Sequence, residues 1–427
     1  MVTTAIFASF AVFLVLTVPI GVSLGLASTV AVLCSTKMKF THITQTMVTA
    51  IDSFPLMAVP FFILAGEIMG RGGISKRLLN TARAYFGSYT GGLGLVTVAA
   101  CMFFAAISGS GPATVAAIGS LMIPSMVDKG YSKGYSGALV AASGSIGVII
   151  PPSIPMVVYS VAVGTSISTM FMAGIIPGIL IGIALIIMNY FISKKEGYGG
   201  EREHYTLREK LRITRDAIWS LLVPFIILGG IYGGVFTPTE AAAVAVIYGI
   251  IIGLFVYKDI KIRDLYDILR QAGLTTATAM IIMGTAAIFG RILTMEQVPN
   301  RVAAFITSMT DNWILVLMMI NVLLLVVGCF METLAAILIL APILLPVVKQ
   351  VGVDPIHFGI IMIVNLAIGF ITPPLGVNLF VAAGIAKISL ESICRSIVKP
   401  LVAMLVVLML ITYFEELSLW VPSLLTN

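Results

Sequence analysis

The sequence predicts an all-α integral membrane protein. It is built from two inverted-topology repeats, each with a re-entrant helical hairpin and a broken transmembrane helix. Three observations predict this: a shortage of charge, a self-match of the chain at a shift of 222 residues, and an uneven distribution of Lys and Arg among the loops. Of the 427 residues, 59% are hydrophobic and 10% charged, against about 25% charged in an ordinary soluble domain. Residues 175–190 and 241–256 carry no charge at all, and several runs approach the ~20 residues that span a bilayer. The first apolar stretch, 5–34, lacks a basic leader and a cleavage site, so it reads as one retained helix.

The self-match falls on punctuating residues. Pro124 meets Pro346, Gly130 meets Gly352, Gly137 meets Gly359, Gly147 meets Gly369, and Pro151-Pro152 meets Pro373-Pro374. Apolar runs align by chance, but Gly and Pro in one register do not, and two related halves are a transporter pattern. Lys129 and Lys133 flank the 128–133 turn, whereas its counterpart 351–357 has no Lys or Arg. The positive-inside rule therefore puts the two on opposite sides. The elements follow in order. Residues 5–34 cross outward and 56–70 return. Residues 92–106 and 113–127 form a hairpin from the cytoplasmic side, 137–163 crosses as a broken helix, and 170–193 returns. The span at 220–234 is unpaired. Then come 241–257, 275–292, a hairpin of 313–327 and 334–348 from outside, a broken helix over 358–386, and 401–419. The domains are thus 1–193 (hairpin about 91–127, broken helix 137–163), a linker with the unpaired span at 194–238, and 239–427 (hairpin about 312–349, broken helix 358–386). Lys37 and Lys39 fall outside, against the rule. Residues 194–215 read as a solvated loop or surface helix, and 258–270 as an interfacial arm.

The chemistry is expected where the backbone breaks at membrane depth, because lipid offers no hydrogen bonds and such segments survive only inside protein. The first turn reads Ser108-Gly109-Ser110-Gly111-Pro112-Ala113-Thr114, and the paired break carries Ser143, Ser145, Gly147 and Pro151-Pro152. Glycines allow the turn, proline suits a helix start, and neutral oxygens suit a monovalent cation rather than Ca²⁺. The bland alternative is close helix packing by small residues. In the second half the turn holds Gly328, Glu332 and Thr333, and the break holds Asn365, Gly369, Thr372 and Pro373-Pro374. Glu332 is a candidate site residue by its depth, with a helix cap as the competing role. Pro112, Thr114, Pro152, Tyr159, Asn365, Pro374 and Asn378 are candidates for contact with a solute, with aromatic packing as the alternative for Tyr159. Arg71 and Arg291, before the two hairpins, either meet an anionic solute or snorkel to the interface. Thr237-Pro238-Thr239-Glu240 reads as a capping box. The four cysteines (Cys34, Cys101, Cys329, Cys394) read as small buried hydrophobes, and His42, His204 and His357 have no metal spacing. The sequence has no GxxxxGK[ST] and no GxSxG motif, so an ion gradient rather than ATP is the expected energy source. Nucleic-acid binding is not expected, because the basic residues sit beside spans.

Residues 108–119 (SGSGPATVAAIG), 151–155 (PPSIP), 237–245 (TPTEAAAVA) and 372–376 (TPPLG) resemble the large membrane (M) subunit of tripartite ATP-independent periplasmic (TRAP) transporters. The sialic-acid members are the nearest in character. The resemblance covers essentially the whole chain. It implies a non-enzymatic transport subunit of the bacterial inner membrane, coupled to Na⁺ and working as an elevator. Its implied partners are a small four-helix membrane (Q) subunit, kept separate here, and a soluble periplasmic substrate-binding (P) protein. Membrane lipid surrounds it. One Na⁺ would lie between the Ser108–Gly111 turn and the Ser143–Gly147 break. A second would lie between the Gly328–Thr333 turn and the Gly369–Thr372 break, with an organic acid between the turns. A sugar acid such as sialic acid, a C4-dicarboxylate and a keto acid all qualify. A passive channel and a carrier needing no binding protein remain the alternatives.

Overall fold

A computed structural model describes residues 2–34, 38–200, 205–310 and 312–425; Lys37 and His204 lie outside them. Secondary structure among these residues is helical throughout. The first half contains α1 (Val2–Val15), α2 (Ile20–Leu33), α3 (Thr41–Ile51), α4 (Ala58–Arg71), α5 (Ile74–Phe86), α6 (Gly92–Ser108), α7 (Gly111–Asp128), α8 (Lys133–Ser145), α9 (Ile154–Val163) and α10 (Ile167–Glu196). A surface helix, α11 (Leu207–Asp216), joins it to the second half. That half contains α12 (Ile218–Tyr232), α13 (Pro238–Ile251), α14 (Asp264–Met295), α15 (Val298–Met309), α16 (Trp313–Phe330), α17 (Thr333–Gln350), α18 (Pro355–Gly369), α19 (Val377–Ala386), α20 (Leu390–Tyr413) and α21 (Glu416–Leu425). Among the described residues, seven helical stretches are long and apolar enough to cross a membrane.

The helix bounds carry the 222-residue shift that the glycines and prolines carry. α7 and α17 begin and end 222 residues apart, and α8 and α18 begin 222 residues apart. Packing is reciprocal between the halves: α7 lies on α19 and α17 on α9, while α2 lies on α14 and α13 on α4. Such an exchange of partners is what a two-fold relation generates.

Four expectations need correction. Residues 5–34 are two helices packed on each other, not one. Thr17 takes the left-handed conformation (φ 59°), its N–H bonds the Leu14 carbonyl, and Val18 N–H bonds the Phe13 carbonyl. This is a Schellman stop with Thr where Gly is usual, and Pro19 then opens α2. The arm at 258–270 is not separate, because its second half forms the first turns of α14. The 32 residues of α14 extend about 48 Å. The last span starts earlier and stops earlier than 401–419: α20 ends at extended Phe414, and α21 packs back on α10. Cys34 is exposed, whereas Cys101 and Cys329 are buried.

The linker helix α11 and the span α13 both start on complete capping boxes, Thr206–Glu209 and Thr237–Glu240. At Thr237 the hydroxyl accepts from Glu240 N–H (3.3 Å) while the Glu240 carboxylate accepts from Thr237 N–H (2.8 Å).

One close contact in the second half joins backbone to backbone. A methyl group at Gly369 would lie 2.5 Å from the Gly328 carbonyl carbon and oxygen, whereas one at Gly384 meets nothing within 4 Å. Gly369→Ala is expected to cost about 1–3 kcal/mol by overpacking. Gly384→Ala is expected to be neutral or to stabilise by up to about 1 kcal/mol. Thermal unfolding of the detergent-solubilised protein checks both; equal melting temperatures for the two variants would refute the close contact.

Candidate functional site

The first hairpin turns on three residues. Gly109 closes α6 in the left-handed region (φ 61°), and Ser110 is extended and caps α7, accepting from Ala113 N–H at 3.5 Å. Pro112 sits in the first turn of α7, where its missing N–H costs nothing. Ser108 Oγ lies 2.9 Å from Thr114 Oγ1, and the Thr114 hydroxyl donates to the Ser110 carbonyl at 2.8 Å. The turn rests on the first break. Ile154 N–H donates to the Gly109 carbonyl (3.4 Å), and a methyl at Gly147 would lie 2.6 Å from both the Ser110 carbonyl oxygen and Thr114 Oγ1. Only glycine allows that approach. The break itself is a single 3-10 turn after α8, a cis Pro151-Pro152 bond, and Ser153, which caps α9 through Met156 N–H (3.3 Å).

The second hairpin repeats this with different side chains. Glu332 is extended and caps α17, its Oε2 accepting from Leu334 N–H (3.1 Å) and Ala335 N–H (3.3 Å). Gly328 meets Gly369 as described, and the Thr372 hydroxyl donates to the Ile368 carbonyl (2.8 Å) ahead of the cis Pro373-Pro374 bond. The two breaks are also tied to each other. Asn378 Nδ2 donates to the Ala141 carbonyl (3.1 Å) and to Ser145 Oγ (3.0 Å) across the halves. Ser143 Oγ, Thr333 Oγ1, Asn365 Oδ1 and Asn378 Oδ1 are buried oxygens with no protein partner, a state that costs about 1–3 kcal/mol each unless something else satisfies them.

Both turns open onto one cavity of about 650 Å³. Ser108, Ser110 and Pro112 line it from one side, and Glu332 and Thr333 from the other. Phe370 and Val377 come from the second break, Glu67 and Arg71 from α4, and Thr275 and Thr278 from α14. The sequence-predicted residues Ser108, Gly109, Ser110, Pro112, Glu332, Thr333 and Arg71 are thus brought together there. Gly111, Thr114, Ser143, Ser145, Gly147, Pro152, Gly328, Gly369 and Thr372 lie in the turns and breaks around it. Other candidates sit elsewhere. Tyr159 is fully buried and donates its hydroxyl to the Pro355 carbonyl (2.6 Å). Asn365 is held by the Asn321 side chain (2.7 Å), which in turn donates to Thr412 (3.0 Å). Arg291 is exposed and does not line the cavity, and Pro374 is exposed. Glu67, Thr275 and Thr278 were missed. For Glu67 the signal existed, a carboxylate inside an apolar stretch.

A match over residues 7–417 to the family model "Tripartite ATP-independent periplasmic transporter, DctM component" now settles the class. The chain belongs to this DctM family. It is 53% identical over 409 residues to an isethionate TRAP transporter permease, DctMQ of Oleidesulfovibrio alaskensis, covering 96% of this chain and 64% of that relative. It is 42% identical to the C4-dicarboxylate large permease DctM of Pseudomonas aeruginosa, covering 94% of each. It is 40% identical to the sialic acid large permease SiaM of Vibrio cholerae, covering 95% of the chain and 95% of that relative. The fold is shared with the YdaH transporter of Alcanivorax borkumensis (TM-score 0.67, 16% identity, 90% of this chain and 88% of that one). With seven apolar helices and permease relatives, this DctM-family chain is a multi-pass inner-membrane protein.

Asn378→Leu keeps the volume but removes the two hydrogen bonds that Asn378 donates, leaving the Ser145 hydroxyl bonded to the Ala141 carbonyl alone (3.3 Å). The variant is expected to lose about 1–3 kcal/mol, read as a lower melting temperature in detergent. An unchanged value would mean that the bridge between the breaks contributes nothing to stability.

Proposed function

We propose that this chain is the transport subunit of a binding-protein-dependent uptake system that moves a small organic anion inward on a Na⁺ gradient. The observation that carries the reading is the convergence of both hairpin turns, with a helix N-terminus in each, on one cavity. Helix N-termini attract anions. The neutral oxygens under each turn suit Na⁺, one between Ser108–Gly111 and Ser143–Gly147, another between Gly328–Thr333 and Gly369–Thr372. Ser143 Oγ and Thr333 Oγ1, buried oxygens without protein partners in the first break and the second turn, support those positions, since a bound cation satisfies them. The names of the relatives support an organic acid, sialic acid or a related one, as the solute.

The two halves are read as inverted repeats of five crossings each: α1, α2, α4, the broken α8–α9 and α10, then α12, α13, α14, the broken α18–α19 and α20. An odd number per half inverts the second without an extra span. Loops 128–133, 194–215, 258–263 and 387–389 then face the cytoplasm. The hairpins and broken helices move together against α4 and α14 as an elevator. A membrane potential supplies about 2.3 kcal/mol per charge per 100 mV, so a few cations suffice for accumulation. A small membrane subunit and a soluble periplasmic binding protein complete the system. The isethionate relative, longer than this chain and named for both an M and a Q component, supports the former.

Uptake into proteoliposomes containing this chain and a small-subunit partner tests the reading, with an imposed Na⁺ gradient and with or without a binding protein. Uptake is expected to need both Na⁺ and the binding protein. Uptake with Na⁺ alone would make the chain a self-sufficient carrier, and flux indifferent to both would make it a pore. Ser108→Ala is expected to raise the Na⁺ concentration for half-maximal uptake about tenfold, the loss of one hydrogen-bonding oxygen. Ser110→Ala, which keeps the carbonyl facing Gly147, is expected to act less.

A further inference from the structure

The linker helix α11 is charged on one flank and apolar on the next. Leu207 and Leu211 stand one turn apart and are 73% and 58% exposed. Arg208, Arg212 and Arg215 follow i, i+4, i+7 spacing, so they share a face about 100° around the helix from the leucines. All three arginines are exposed, and none makes an ion pair among the described residues. The side turned inward is held to α5: Thr214 Oγ1 lies 3.1 Å from the Tyr85 hydroxyl, and Lys210 Nζ lies 5.5 Å from the centre of the Tyr85 ring. Glu209 is committed to the capping box. The roll of the helix is thus fixed, with the leucines and the arginine row pointing away from protein.

Its neighbours set its height in the membrane. The apolar span α10 ends in Lys194 and Lys195, and α12 opens on Ile218 and Trp219, both exposed. Lysine and indole at span ends mark the polar edge of a bilayer, so α11, lying between them, is at that edge. Topology alone asks for basic residues in such a linker, but not for three arginines on one face beside two exposed leucines. Exposed apolar residues do not bring arginines with them either: α3 and α15 expose Val48 and Phe305, yet carry no Lys and a single Arg between them. We propose that this flank of α11 is a binding site for an anionic phospholipid. The leucines enter the acyl boundary and the arginine row holds the headgroup phosphate, whose oxygens suit the guanidinium fork. A free phosphate would leave the leucines unused. Because α11 joins the two halves, the lipid fixes that join at the membrane surface. The site needs only the membrane placement of the chain and is independent of the proposed transport reaction.

Native mass spectrometry of the delipidated chain in a neutral detergent tests the site, with phosphatidylglycerol, phosphatidylcholine of the same acyl chains, and glycerol 3-phosphate as probes. Phosphatidylglycerol is expected to bind the wild type about tenfold or more tightly than phosphatidylcholine, and glycerol 3-phosphate far more weakly than either. Arg208→Gln, Arg212→Gln and Arg215→Gln together are expected to weaken phosphatidylglycerol about a hundredfold, about fivefold per arginine. The same loss of charge at other exposed lysines, Lys129→Gln, Lys387→Gln and Lys399→Gln together, is expected to change it by less than about threefold, because screening weakens distant charges. Leu207→Asn with Leu211→Asn is expected to weaken both lipids about tenfold. These positions are all exposed, so melting temperatures in lipid-free detergent are expected to stay at the wild-type value. The proposal is overturned by equal affinity of the wild type for the two lipids, a result that would leave the flank to a protein partner. It is also overturned by glycerol 3-phosphate binding as tightly as the lipid, by unchanged affinity in the arginine variant, or by an equal loss in the lysine variant, which would reduce the effect to net charge. Lipid binding is read without any solute or Na⁺ gradient, so its failure and a failure of uptake are distinguishable.

Discussion

Everything distinctive in this fold depends on one constraint: a backbone that leaves helical geometry inside a membrane must be satisfied by protein. Lipid supplies neither donor nor acceptor. Each hairpin turn and each helix break exposes such groups, and the two defects are stacked on each other. The Gly109 carbonyl accepts a hydrogen bond from Ile154 N–H at the end of the first break, and Gly328 packs backbone to backbone against Gly369 at the second. Ser110, Ser153 and Glu332 use their side chains to cap the half-helices that follow. The defects therefore stabilise one another and could not be placed apart. Glycine at 147 and 369 is what permits the stacking, because any side chain would hold turn and break apart.

Identical backbones carry different chemistry in the two halves. Ser110 and Glu332 occupy matching positions as caps, as do Ser143 and Asn365 in the helices before the breaks. The repeat preserves what the backbone requires, which is Gly, Pro and a capping oxygen, and varies what a solute or ion would feel. A symmetric scaffold thus presents an asymmetric cavity, neutral at one turn and acidic at the other.

The legibility of the sequence follows the same division. Breaks and turns are written in Gly and Pro, residues with few alternative uses in an apolar chain, and so the hairpins at 92–128 and 313–350 and the breaks near 147 and 369 could be placed from sequence. The turn at Thr17 could not, because a β-branched residue at positive φ carries no such mark and is held by its two Schellman hydrogen bonds and the packing of α1 on α2. The join of 258–270 into α14 was hidden by its charges, which suggest an interface although the helix runs on past it. The cavity was half legible. Its turn residues follow from spacing, but Glu67, Thr275 and Thr278 come from helices whose facing direction depends on tertiary packing. Tyr159 illustrates the converse. Its position after a break suggested solute contact, yet its hydroxyl is committed to the Pro355 carbonyl of the other half.

That bond and the bridge made by Asn378 have a common consequence. Both run between the halves: Tyr159 on α9 holds the start of α18, and Asn378 on α19 holds the end of α8. Each break is thus anchored by a side chain from the other half, in addition to the turn that sits on it. Opening either break alone would strand buried donors or acceptors at two places, and each such loss costs about 1–3 kcal/mol. Moving both breaks and both turns as one body strands none of them. The hydrogen bonding that satisfies the broken backbone therefore also ties both breaks and both turns into one unit, and the cavity lies on its face toward α4 and α14.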